Sequence, residues 1–142
     1  MIYENREKHI LGVARFMKDN AKKLGLDSEE MFTLDFLHDI GYEFDPTLNH
    51  NKVGGEILKR QNYKYFNEVY SHGNTETTYT SKELDFLNFA NIHINKTGKY
   101  VTFNERLEDI KTRRGEDSDF YIWSKIIIDR LKSNPLFKDF EK

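Results

Sequence analysis

The sequence predicts an all-α fold. Apolar residues recur at three- and four-residue spacing through most of the chain, and no segment alternates convincingly as a strand would. Punctuation agrees with this reading: only two prolines and eight glycines occur in 142 residues, and they fall mostly between the periodic segments. No internal repeat, low-complexity tract or linker divides the chain, so residues 1–142 read as a single domain. That length is enough for one core.

Each element follows from local residues. Ile10, Val13, Ala14, Met17, Ala21 and Leu24 predict a first helix over 3–24, ended by Gly25. Asp27 with Glu30 reads as a capping box for a second helix over about 28–41, with Met31, Leu34, Leu37 and His38 as its stripe and Gly41 as its stop. A loop through Asp45-Pro46-Thr47-Leu48-Asn49 follows. A third helix, near 50–61, carries Val53, Ile57 and Leu58. Its Gly54-Gly55 pair costs roughly 1 kcal/mol per glycine relative to alanine, which suits the close approach of another backbone or a ligand. Tyr65, Phe66, Val69 and Tyr70 predict a fourth helix over 64–73. Ser81 opens a fifth, with Leu84, Leu87, Asn91 and Ile94 on one face, broken by Asn95-Lys96-Thr97-Gly98. Thr102 with Glu105 is a second capping box, starting a helix that runs to about Arg114. Residues 119–132 form a last amphipathic helix around Tyr121, Trp123, Ile126, Ile127 and Leu131.

Composition narrows the function classes. Eleven Phe and eight Tyr supply bulky core material, so the chain is not a disordered one. Charged residues make up 32%, yet the net charge is −2, which gives no electrostatic reason to expect nucleic-acid or anionic-membrane binding. Zero cysteines remove disulfides and thiolate metal sites. No apolar run is long enough for a bilayer, and Met1 to Arg6 lacks a signal peptide's apolar centre, so a cytoplasmic protein is expected. The aromatic segment from Trp123 to Phe140 suits either a fold-back onto the core or a homodimer contact. The tandem Ile126-Ile127-Ile128 covers more than one helix face and favours an additional partner surface.

The residues richest in chemistry are His38-Asp39, within Leu37-His38-Asp39-Ile40-Gly41. An adjacent imidazole and carboxylate can bind one divalent cation together, and a carboxylate can bridge two. Four of the five histidines, His9, His38, His50 and His72, fall where a helical reading turns them inward or to a helix end. A lone buried histidine is more often a hydrogen-bonded core residue than a ligand. An inward aspartate beside it changes the weighing, because an uncompensated buried charge is costly and a cation relieves it. Asn91 takes a position where its neighbours predict an apolar side chain, and a buried amide needs hydrogen bonds or a metal on its oxygen. Nitrogen and oxygen donors without sulfur suit Mn, Fe, Co, Zn or Mg. His93 lies off that face and reads as a solvated residue with no role.

In this order, the residues resemble the HD superfamily of metal-dependent phosphohydrolases. The family pattern is a first His, then His-Asp, then a late Asp, with two further His in members that hold two metals. His9, His38-Asp39, His50 and His72 match the longer version. Arg6-x-x-His9-Ile10-Leu11-Gly12-Val13, His50-Asn51-Lys52-Val53-Gly54 and Tyr70-Ser71-His72 resemble the surrounding text, as does the run from Asn95-Lys96-Thr97-Gly98 to Glu105-Arg106-Leu107. The resemblance spans about residues 6–115, with a C-terminal helical segment, 116–142, beyond it. One departure stands out: the late Asp aligns with Asn91.

The resemblance implies a compact bundle of six to seven helices. It implies that His9, His38, Asp39 and Asn91 hold a first divalent metal, and that Asp39 bridges to a second held by His50 and His72. The implied reaction is hydrolysis of a phosphate ester or anhydride of a nucleotide or related small molecule, with Asp39 as the catalytic carboxylate that also orients water. Dinucleoside polyphosphates and nucleoside monophosphates are both candidate substrates. Arg6 and Lys52 are candidate phosphate contacts, whereas Arg106 reads as structural, pairing within its helix with Asp109. Glu43, Asp45 and Tyr79, in the loops 42–49 and 73–80, are candidates for setting specificity. Two rival readings are a binding module that keeps metal or nucleotide without turnover, supported by Asn91, and a plain helical bundle whose histidines only pack.

Overall fold

A computed structural model describes residues 2–43 and 50–142. The expected loop Asp45–Asn49, and the side chains of Glu43 and Asp45, lie outside the described residues. Among the described residues there are seven α-helices and no strand: α1 (Ile2–Asn20), α2 (Ser28–His38), α3 (His50–Arg60), α4 (Phe66–Ser71), α5 (Lys82–His93), α6 (Phe103–Arg114) and α7 (Asp119–Lys132). One isolated bridge pairs Ile94 with Tyr100. No helix among the described residues is long and apolar enough to cross a membrane.

The ends of the helices follow their residues. A 3-10 turn, Ala21–Leu24, extends α1 and stops at Gly25, whose left-handed φ of 73° lets its N–H reach the carbonyls of Ala21 and Lys22. Asp27 accepts from the Glu30 amide at 2.8 Å. Thr102 and Glu105 form the full reciprocal capping box of α6. Ser81 and Ser118 cap α5 and α7 in the simpler way.

α2 ends at His38, short of the expected 41, and Ile40–Glu43 form a 3-10 turn. The cause is packing against α3. A Cβ on Gly41 would collide with the His50 carbonyl and lie 2.9 Å from the Gly54 amide nitrogen, while one on Gly55 would lie 2.6 Å from Tyr70 Cβ. The glycine pair in α3 therefore serves the close backbone approach that its sequence cost suggested. α4 is likewise shorter than 64–73, because His72 already has extended backbone.

Val13, Met17, Met31, Leu34, Val69 and Phe86 lie at the core, each large side chain contributing roughly 1.5–3 kcal/mol by leaving water. The C-terminal segment folds back onto this core: Phe137 stacks on Phe89 with ring centroids 4.1 Å apart. The buried stripe of α7 is Ser124, Ile127, Ile128 and Leu131. Trp123 and Ile126, expected on the core face, are exposed together with Ile122.

Two sequence expectations need correction here. His93 is not solvated but fully buried, with Phe89, Tyr100 and Phe103 rings 4.2–4.7 Å from its own. It lies off one apolar face of α5, but that helix is covered on a second side, where Phe86, Phe89 and Ala90 are also buried. Arg106 is not the ion-pair partner of Asp109, which pairs with Arg113 at 2.9 Å. Its Nη1 donates instead to the Ile94 carbonyl at 2.9 Å, fixing the turn that follows α5.

Candidate metal centre

Three helix ends meet at one place. His38 is the last residue of α2 and Asp39 its cap; His50 is the first residue of α3; His72 caps the end of α4. The Gly41 seam brings α3 against the end of α2. Asn51, beside His50, donates to the His72 carbonyl and ties α3 to the end of α4.

The two oxygens of Asp39 divide the imidazoles between them. Oδ2 is 3.2 Å from Nε2 of His38. Oδ1 is 3.5 Å from Nε2 of His72 and 3.7 Å from Nε2 of His50. One ligand atom from each of His38, Asp39 and His72 forms a set lying within 4.8 Å of one another. Metal bonds of about 2.0–2.2 Å span such a group readily.

The far side of each ring fixes its tautomer. Nδ1 of His38 gives its hydrogen to the Asp35 carbonyl, and Nδ1 of His72 gives its own to the Val69 carbonyl at 2.6 Å. A carbonyl only accepts, so each Nδ1 carries a proton, and the ring, once neutral, presents its lone pair at Nε2, toward Asp39. Nε2 of His38 is buried, with no aligned hydrogen-bond partner. An orphaned imidazole nitrogen beside a carboxylate is a donor set that fits a divalent cation.

Protonation of the metal-free cluster agrees with strong coupling. Burial pushes the Asp39 carboxyl up, but the His38 charge and hydrogen bond, aided by His72, hold it well below the usual carboxylate range. Burial opposes a charge on His38, yet Asp39 and then Asp35 raise it to about 9. His72 is lowered by burial and by His38, against its bond to Asp39. Behind His38 lies a group the sequence reading passed over. Asp35 is fully buried, pushed up to about 7 by burial and by Asp39 against the pull of His38. Its spacing, four after Met31 and three before His38, places it on the inward face and was the available signal.

His9 and Asn91 meet each other rather than this group: His9 Nε2 lies 2.6 Å from Asn91 Oδ1. The Nε2–H of His9 donates to that amide oxygen, the shorter of the ring's two contacts, while Nδ1 lies 3.3 Å from the Asn95 carbonyl. Burial lowers His9 against its bond to Asn91, with the charges of Arg106 and His38 pushing the same way. Arg6, half-buried, lies one turn before His9 on α1, and Lys52 is exposed on the first turn of α3, two residues after His50. Tyr79 donates to Glu68 at 2.6 Å, which Ser81 also contacts.

A family model described as HD domain matches residues 6–119, a span that contains the Asp39 cluster and the His9–Asn91 pair. Neither a curated protein nor a solved structure gave a match.

Proposed function

Because this chain belongs to the HD domain family, whose members bind divalent metals and are generally hydrolases, we propose that it is a metal-dependent phosphohydrolase acting on a phosphate ester or anhydride of a nucleotide or related small molecule. The observation that carries the reading is the division of the imidazoles by Asp39, one oxygen toward His38 and the other toward His50 and His72. A carboxylate so placed suits a bridge between two ions. In this reading His9, His38, Asp39 and Asn91 hold one ion, and Asp39, His50 and His72 hold the other.

A bound divalent cation supplies Lewis acidity toward the phosphoryl oxygens and activation of the attacking water. The protein's own groups do the rest. Asp39 accepts a hydrogen bond from that water and aims it at phosphorus. Arg6 offers a guanidinium that can grip two phosphate oxygens, and Lys52 adds a point charge that draws in the anion. The carbonyls of Asp35 and Val69 keep His38 and His72 from turning their protonated nitrogens inward.

Protein purified without a histidine tag should carry at least one equivalent of transition metal, and should release phosphate from a panel of nucleoside monophosphates and dinucleoside polyphosphates supplied with Mn²⁺, Co²⁺ or Fe²⁺. The pairing of His9 with a neutral amide favours a second reading, a degenerate module that binds metal or nucleotide without turnover. An amide offsets less of a cation's charge than a carboxylate does. Metal present with no release across the whole panel selects that reading; no metal under any condition defeats both.

A further inference from the structure

Asp35 has no exposed surface, and neither of its carboxyl oxygens has a hydrogen-bond partner. Among the described residues it has no lysine or arginine partner; its charged neighbours are His38 and Asp39. Its Oδ1 sits 3.4 Å from Nδ1 of His38, beside the Asp35 carbonyl that takes that nitrogen's hydrogen. A carboxyl buried with so little compensation is costly. Packing alone gives no reason for an aspartate there.

We propose that Asp35 is a positioning residue for a cation bound at His38 and Asp39, standing behind the imidazole and supplying the second negative charge next to the ion. The inference rests on the metal-centre reading above and deepens it. Geometry supports it first. The Asp35 carbonyl takes the Nδ1 hydrogen and fixes the ring, the Asp35 carboxyl stands 3.4 Å behind the same nitrogen, and Nε2 faces Asp39, so a negative charge on Asp35 would lie behind the imidazole and make the ligand nitrogen more basic.

Charge supports it second. Among the described residues Asp39 is the one carboxylate in the cluster; the imidazoles are neutral as ligands, and Asn91 is neutral always. A single divalent ion held by these groups would leave one positive charge uncompensated in the interior. The buried Asp35 carboxyl, 3.4 Å behind Nδ1 of His38, is the nearest group placed to offset it.

The test is Mn²⁺ titration calorimetry on metal-stripped wild type and Asp35→Asn, paired with thermal unfolding of both stripped proteins. Asparagine keeps the shape and removes the charge. The expected result is a roughly 10–100-fold loss of Mn²⁺ affinity with a stripped protein as stable as wild type or more so, a combination that a packing role does not give. Equal affinity in the two proteins, or a loss matched by a fall in stripped-protein stability, overturns the role of Asp35 and leaves the metal centre standing. If wild type itself takes up no Mn²⁺, the metal reading fails and this inference fails with it. Should Asp35→Asn not fold, Asp35→Ser, smaller and also neutral, serves for the same comparison with the same outcomes.

Discussion

His38 and His93 share most local properties. Both are fully buried. Both give Nδ1–H to a backbone carbonyl, of Asp35 in one case and Val101 in the other. Both leave Nε2 buried, that of His93 without a hydrogen bond and that of His38 beside Asp39 Oδ2 at 3.2 Å. Their protonation nonetheless diverges: His38 is raised to about 9, where Asp39 outweighs burial, and His93 is lowered to about 4 by burial, with the Arg106 charge adding to it. One ring faces a carboxylate and two further imidazoles; the other is enclosed by three aromatic rings. A fixed tautomer and a dry site make a histidine available as a ligand. A converging set of donors is what makes a centre, and His93 lacks one.

The largest expected effect separates the two sites outright. His38→Ala together with Asp39→Ala should abolish metal uptake and phosphate release, measured by elemental analysis and a phosphate assay, whereas His93→Ala should leave metal content unchanged. Full metal retention in the double variant would remove the contrast altogether. Next in size, His93→Ala should lower folding stability by about 3 kcal/mol in urea titrations, as for other large-to-small changes in a packed core. A change near zero would show the aromatic enclosure to be loosely packed.

Acid and base responses sharpen the contrast further, because the two shifts have opposite sign. In the metal-free protein the stability that His93 contributes is present above its unfolded value of 6.5 and lost as pH falls toward about 4. That from His38 is present below 6.5 and lost as pH rises through about 9. Unfolding curves across pH should therefore lose their acid limb in His93→Ala and their alkaline limb in His38→Ala. Metal must also displace the His38 proton, so Mn²⁺ affinity should climb about tenfold per pH unit up to about 9 and then level; a flat profile would mean the ion does not meet His38. The smallest effect concerns the flank of the site. Asn91→Asp should strengthen metal binding, by about tenfold for an added charge at short range, and unchanged affinity would take position 91 out of the ligand set.

Much of this was legible in the sequence. Seven helices, the Thr102 box, the Asp27 and Ser81 caps and the tight glycine pair all rest on local chemistry that a single segment carries. The meeting of His38, Asp39, His50 and His72 was signalled by helix ends, where side chains converge. What escaped depends on covering by distant segments. His93 was read outward because one apolar stripe was assumed for α5, but α6 and the returning C-terminal aromatics bury a second side. Trp123 and Ile126 were grouped with the apolar face of α7 by their place in the helix, though Ile127, Ile128 and Leu131 already fill the contact. Asp35 was passed over because acidic residues are usually solvated, even though its register pointed to the core. The His9–Asn91 contact was not foreseen as a direct one, since spacing along two helices does not say which atoms touch.

Gly41 donates no atom to substrate or ion, yet the distance between the two halves of the cluster hangs on its missing methyl group. Any side chain there would drive the start of α3 away and carry His50 off Asp39. A variant library scored by turnover alone would therefore rank this position beside the reacting groups. Scoring the same library for soluble, folded yield as well would separate the hinge pin from the chemistry.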